Sequence, residues 1–230
     1  MMLDIFSSFD PDINYMNNTS PLMFWVMMMS SISLFSLSMW AGPSSMTVIS
    51  SATMKIMNDQ TNRTSGTHIK GFNSLIVSLF IILININLIG LLPSVFSYSS
   101  HLMFTLSFGM PLWMALIMSA IVFSPYKWTA SLLPAGAPFW LNPFLVMIET
   151  ISISVRPMTL SFRLAANMSA GHIVLTLIST YSANALFSSM SNLTVLILIQ
   201  LGYIMFEFGI CLIQSYIFCL LLSLYADDHT

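Results

Sequence analysis

Residues 144–180 read FLVMIETISISVRPMTLSFRLAANMSAGHIVLTLIST, and residues 193–224 read LTVLILIQLGYIMFEFGICLIQSYIFCLLLSL. At 1.5 Å per residue, an apolar helix of about 35 residues is about 50 Å long. The apolar core of a bilayer is only about 30 Å thick. Two such helices in a membrane must tilt steeply or bend, and Pro157, which lacks a backbone donor, is placed to bend the first. The same two runs carry Glu149, Arg156, Arg163, His172 and Glu207. A charge at bilayer centre costs from about 2.5 to more than about 10 kcal/mol, and packing does not offset that. Groups so placed line a polar path or face a partner.

Their spacing orders them. Glu149, Arg156 and Arg163 recur every seven residues. Each step drifts by only about 20° around a helix, so the three share one stripe. Asn167, four residues beyond Arg163, falls near that stripe. His172 is nine residues beyond Arg163, about half a turn away, and is expected on the opposite side. Glu207 and Gln214 are also seven apart and share a face of the last helix. Two long helices, each with a polar seam, are expected to meet in the membrane.

The rest of the chain agrees. Of 230 residues 57% are hydrophobic and 6% charged, where a soluble domain carries about 25% charged residues; this chain cannot cover a water-facing surface. Further apolar runs at 22–40, 71–92 and 102–123 are each long enough to span a bilayer, the last ending at Pro125. The polar interval 41–70 contains a stretch, 47–57, suited to a short amphipathic helix on the membrane surface. Lys55, Arg63 and Lys70 lie between the first two spans and Lys127 follows the third, while 93–101 has no Lys or Arg. The positive-inside rule puts both basic loops inside and the N-terminus outside. With five crossings, Asp227 and Asp228 also fall inside. No Lys or Arg precedes Lys55, so neither a secretory signal nor a transit peptide is expected.

Several classes of function find no support. Six basic residues form no patch for nucleic acid. No P-loop, GxGxxG or EF-hand pattern occurs. Cys211 and Cys219 sit in one apolar stretch without metal spacing and read as inert core thiols. A haem-binding subunit needs axial ligands, and His172 alone among the histidines lies deep. A self-contained transporter commonly shows internal repeats, and none relates the two halves. Arg156, beside Pro157, is expected to pair with an acid or a lipid headgroup. Asn85 and Asn87 suit hydrogen bonding between helices. His101, Trp25, Trp40, Trp113 and Trp128 are expected at the membrane interface.

The segment from Glu149 to His172 resembles the signature of the mitochondrial ATPase subunit 6 family, the subunit a of rotary ATP synthases. Every fixed position of that family's R-L-x-x-N-x-x-A-G-H occurs, from Arg163 through Asn167 to Gly171 and His172. The NLIGLLP of residues 87–93, Ser100-His101-Leu102, Phe9-Asp10-Pro11 and the ending from Glu207 through Gln214-Ser215-Tyr216 are similar as well. Met158 departs from the Gly that many relatives carry there.

The resemblance implies an all-α membrane protein of about five membrane helices plus the surface helix, the last two tilted as a hairpin against a ring of c subunits. Residues 1–136 would anchor, and 137–230 would carry the proton path. Arg163 would be the essential arginine facing the c-ring. His172, Glu207 and Gln214 would lie along the half-channel from the outer side, Asn167 beside the arginine, and Glu149 along the half-channel toward the inner side. Implied partners are the c-ring, other stator and peripheral-stalk membrane subunits, the transported proton and the lipid bilayer. No nucleic acid, cofactor or catalytic role is implied for the chain itself. The implied location is the mitochondrial inner membrane, with the N-terminus on the intermembrane-space side.

Overall fold

A computed structural model describes residues 26, 45–64, 71–92, 97–133, 139–187 and 190–229. Apart from Val26, which is helical, the expected span 22–40 lies outside these residues, as do Trp25, Trp40 and Lys70. The described elements are all helical: α1 (Ser45–Thr61), α2 (Phe72–Gly90), α3 (Leu102–Phe123), α4 (Pro125–Ser131), α5 (Asn142–Ala185) and α6 (Met190–His229), with short 3-10 turns at Tyr98–Ser100 and Phe139–Leu141. Four of them, α2, α3, α5 and α6, are long and apolar enough to cross a membrane. At 44 and 40 residues, α5 and α6 outrun the expected runs at both ends. Their lengths of about 60 Å or more are twice what an apolar core of about 30 Å needs, which requires strong tilt or protrusion.

Proline behaves differently at three sites. α3 ends at Phe123 as expected, and Pro125 also opens α4, because its missing N–H is no loss in the first turn of a helix. Pro111 and Pro157 lie inside α3 and α5, and both helices run through them. Pro157 is buried, and its carbonyl has a close side-chain partner. Ser161 Oγ donates to the Pro157 carbonyl at 3.0 Å, and a β-carbon on Gly109 of α3 would stand 3.7 Å from that oxygen. α3 thus meets α5 at Gly109, a small-residue contact of the kind that packs helices in lipid.

The core is built around α2. Half of its apolar stretch is buried within the protein, against 17% for α5 and 11% for α6, so α2 is the pillar and the hairpin turns most of its apolar surface outward. Phe72, Ile76 and Leu83 of α2 cluster with Leu160 and Leu164 of α5 and Phe218 and Leu222 of α6. Buried Asn87 donates from Nδ2 to Ser215 Oγ at 3.1 Å, joining α2 to α6 as expected of an interhelical amide. Cys211 and Cys219 are buried free thiols, in line with their reading as core residues. Trp113 is a correction: it is 7% exposed in the middle of α3, where its bulk fills the contact that an interfacial ring would have left empty.

α1 is attached at the start of α2. Met57 is fully buried against the core, and Thr61 donates to Asn73, whose own Nδ2 donates to Asn58. Val48, Ile49 and Ile56 stay exposed, the amphipathic pattern of a surface helix. Because the core cluster also takes in Ala226 of α6, the end of α6 and the start of α2 share one end of the molecule. Met57→Ala is expected to loosen α1 alone. A loss of about 2 kcal/mol, the low end for such a truncation, corresponds to about 30-fold faster amide exchange across Ser45–Thr61. Unchanged exchange there, or equal acceleration in α5, would contradict this attachment.

Candidate functional site

α5 presents a buried face and an open one. Pro157, Leu160, Ser161, Leu164, Ala165, Met168 and Gly171 face the protein; Val155, Met158 and Phe162 face outward. Arg163 lies on the outward side and is exposed, and among the described residues no carboxylate pairs with it. Its guanidinium therefore stands on the outer surface of α5, with exposed Phe162 and Ala166 beside it and exposed Thr159 and Asn167 one turn to either side.

Toward one end, α5 and α6 exchange polar contacts. Asn167 Nδ2 donates to Gln214 Oε1 at 3.0 Å. One turn further along α5, the Glu207 carboxyl group occupies the space that a side chain at position 171 would need, so any larger residue there must displace it. Glu207 and Gln214 are both buried, at 3% and 5% exposed; the shared face expected from their spacing is the face that meets α5. Cys211, between them, places its sulfur 3.5 Å from that of Met168.

His172 turns away from Arg163, as half a helical turn requires, and donates a hydrogen bond to the backbone of Gly90 at the end of α2. A β-carbon on Gly90 would stand 3.1 Å from Met168 Cε and 3.5 Å from Ser97 Cβ. His172 and Glu207 are thereby assigned to the end of the molecule where α2 finishes. Two buried oxygens in this region, Glu207 Oε2 and Asn87 Oδ1, have no hydrogen-bond partner among the described residues. Buried oxygens of this kind are the usual seats of internal water.

At the other end Arg156 meets Glu149 at 3.6 Å, both side chains about one-third exposed. Its guanidinium also stands 5.3 Å from the centre of the Tyr225 ring on α6, a cation–π distance. Arg156 therefore has the structural pairing expected of it, with Glu149 as the acid. Along α5, Arg163 is about 21 Å from Glu149 and about 13 Å from His172. The arginine lies between two polar clusters that belong to opposite ends of α2.

Gly90 and Gly171 were not among the expected site residues. Their signal was available: glycine inside a helix costs about 1 kcal/mol against alanine and commonly marks close backbone approach. Gly171→Ala is expected to destabilise the α5–α6 pair by about 1–3 kcal/mol through overpacking. Glu207→Ala in the same chain should restore most of it, giving strong non-additivity in a double-mutant cycle on unfolding. Additive effects would mean that the two residues do not touch.

A family model described as ATP synthase A chain matches residues 21–227, which include both polar clusters and Arg163. An ATP synthase subunit a of Artemia franciscana is 35% identical over 228 residues, covering 99% of this chain and 100% of its own. One of Albinaria caerulea is 45% identical over 158 residues, covering 68% of this chain and 72% of its own. Another, of Locusta migratoria, is 31% identical over 229 residues and covers 99% of both. With similarity along nearly its whole length and an all-helical, membrane-suited fold to match, the chain belongs to the ATP synthase A chain family.

Proposed function

We propose that this chain is the proton-translocating stator subunit of the membrane sector of an F-type ATP synthase, non-catalytic in itself, with two offset half-channels separated by Arg163. The observation that carries the reading is the exposed Arg163, without a carboxylate partner among the described residues, between His172 and Glu207 toward one end and a Glu149/Arg156 pair at the other. The outward face of α5 around Arg163 is the contact surface for the c-ring. Residues 137–230 carry the path, and 1–136 anchor it beside the other stator and peripheral-stalk membrane subunits. The membrane is the mitochondrial inner membrane, with the N-terminus on the intermembrane-space side, following the distribution of Lys55, Arg63, Lys70 and Lys127.

The chemistry of each group suits its place. Arginine keeps its proton at any physiological pH. It attracts a ring carboxylate that has lost its proton and passes none on, so it bars a direct leak. Glu207 and His172 can take up and release protons, and Asn167 and Gln214 supply hydrogen bonds along the seam. Water at Glu207 Oε2 and Asn87 Oδ1 would extend the outer path from the loop after α2 to the helix pair. Glu149 serves the inner path. A potential of 100 mV does about 2.3 kcal/mol of work on each proton that crosses, and ring rotation delivers that work to the catalytic sector.

ATP-driven proton pumping by assembled complexes tests this reading. Arg163→Ala is expected to leave assembly intact, since the side chain is exposed and has no ion pair among the described residues, and to reduce pumping to background. Glu207→Gln, which cannot ionise, should slow pumping by about 10-fold or more. Pumping at near wild-type rates in Arg163→Ala would make the arginine a structural residue and defeat the mechanism.

A further inference from the structure

Outside the hairpin, one basic side chain faces an open groove. The groove lies in the corner between α1 and the first turns of α2, encloses about 460 Å³, and combines Lys55, Asn58 and Asn73 with the apolar Met54 and Val77 in its lining. Hydrogen bonds fix its polarity. Thr61 donates to Asn73 Oδ1, and Asn73 Nδ2 donates to Asn58 Oδ1 at 2.5 Å. With its oxygen so engaged, the exposed Asn58 amide has its NH₂ to offer as a donor. Lys55 adds an ammonium group that has no ion pair among the described residues, in contrast to Arg156, whose charge is met by Glu149. Asp59, one turn along, is exposed and does not line the groove. The groove is thus rich in donors and carries a positive charge.

Its position narrows the ligand. Gly71, with φ 83°, turns the chain into α2, and the apolar stretch begins at Phe72. Asn58, Asn73 and Lys55 therefore sit at the level where a membrane helix leaves the hydrocarbon. Met54 of α1 and Val77 of α2 give the same groove an apolar wall, and Val77 lies one turn deeper along α2 than Asn73. Donors at headgroup depth, with an apolar wall beside them in the same groove, fit a phosphodiester anion that carries acyl chains. A free phosphate would use only the first of these features.

We propose that the groove between α1 and the start of α2 holds the headgroup of an anionic phospholipid, with Lys55 and Asn58 donating to its phosphate. The test uses the assembled complex, delipidated and returned to phosphatidylcholine vesicles containing a phosphatidylglycerol whose headgroup carries a photo-crosslinker. Crosslinks are expected on peptides covering 51–58 and 73–77. Lys55→Gln should lower their yield about five-fold, the effect of one basic residue near an anionic membrane surface, and Lys55→Arg should retain it. Equal yield in Lys55→Gln would overturn the proposal. So would equal labelling by a phosphatidylcholine probe, which would show no selection for the anion. Displacement of the probe by inorganic phosphate would make this a free-anion site and overturn it equally.

Discussion

Hydrocarbon that contains no water leaves an ionisable side chain three tolerable situations: to pair, to be covered by another helix, or to face something outside its own chain. The long helices α5 and α6 use all three. Arg156 pairs with Glu149 and rests near the Tyr225 ring. Glu207 is covered, its carboxyl group seated on Gly171. Arg163 does neither among the described residues and stands exposed on the outer side of α5. The functional reading follows from that division, because the side chain left uncovered is the one that a partner must complete.

The remainder of the fold holds those positions in place. α2 forms a buried pillar, and the hairpin leans on it through Leu160, Leu164, Phe218 and Leu222. In lipid the usual hydrophobic driving force between helices is absent, so close approach and hydrogen bonds take its place. Gly109 of α3 faces Pro157, Gly90 admits Met168, and Asn87 bonds to Ser215. Each of these small or polar contacts sits within a few residues of the proposed proton path. Packing contacts and the proposed path are therefore neighbours along the same helices, and a change that loosens one should disturb the other.

Much of this was legible in the residues. Apolar run lengths give the four described membrane helices to within a few residues at α2 and α3, since the stops at Gly71 and after Gly90 are local. Heptad spacing places Glu207 and Gln214 on the face that meets α5, and half a turn sends His172 away from Arg163, because an unbroken helix makes angle a function of residue number. What escaped was decided by neighbours. The buried setting of Trp113 depends on how α3 packs, which a position in an apolar run does not reveal. That Glu207 sits on Gly171 depends on the register between two helices, set by contacts tens of residues apart. The helix at Pro125 was hidden by proline's double meaning as a stop and a start.

The central claim is that two polar regions open to opposite sides of the membrane and do not meet across Arg163. Its most direct measurement uses sealed vesicles holding the assembled complex, with Glu149→Cys or His172→Cys introduced singly and a membrane-impermeant thiol reagent added to one side or the other. The expected result is labelling of His172→Cys only from the side bearing the 97–101 segment, and of Glu149→Cys only from the opposite side. Labelling of both from one side, or of either from both, would contradict the two-path arrangement.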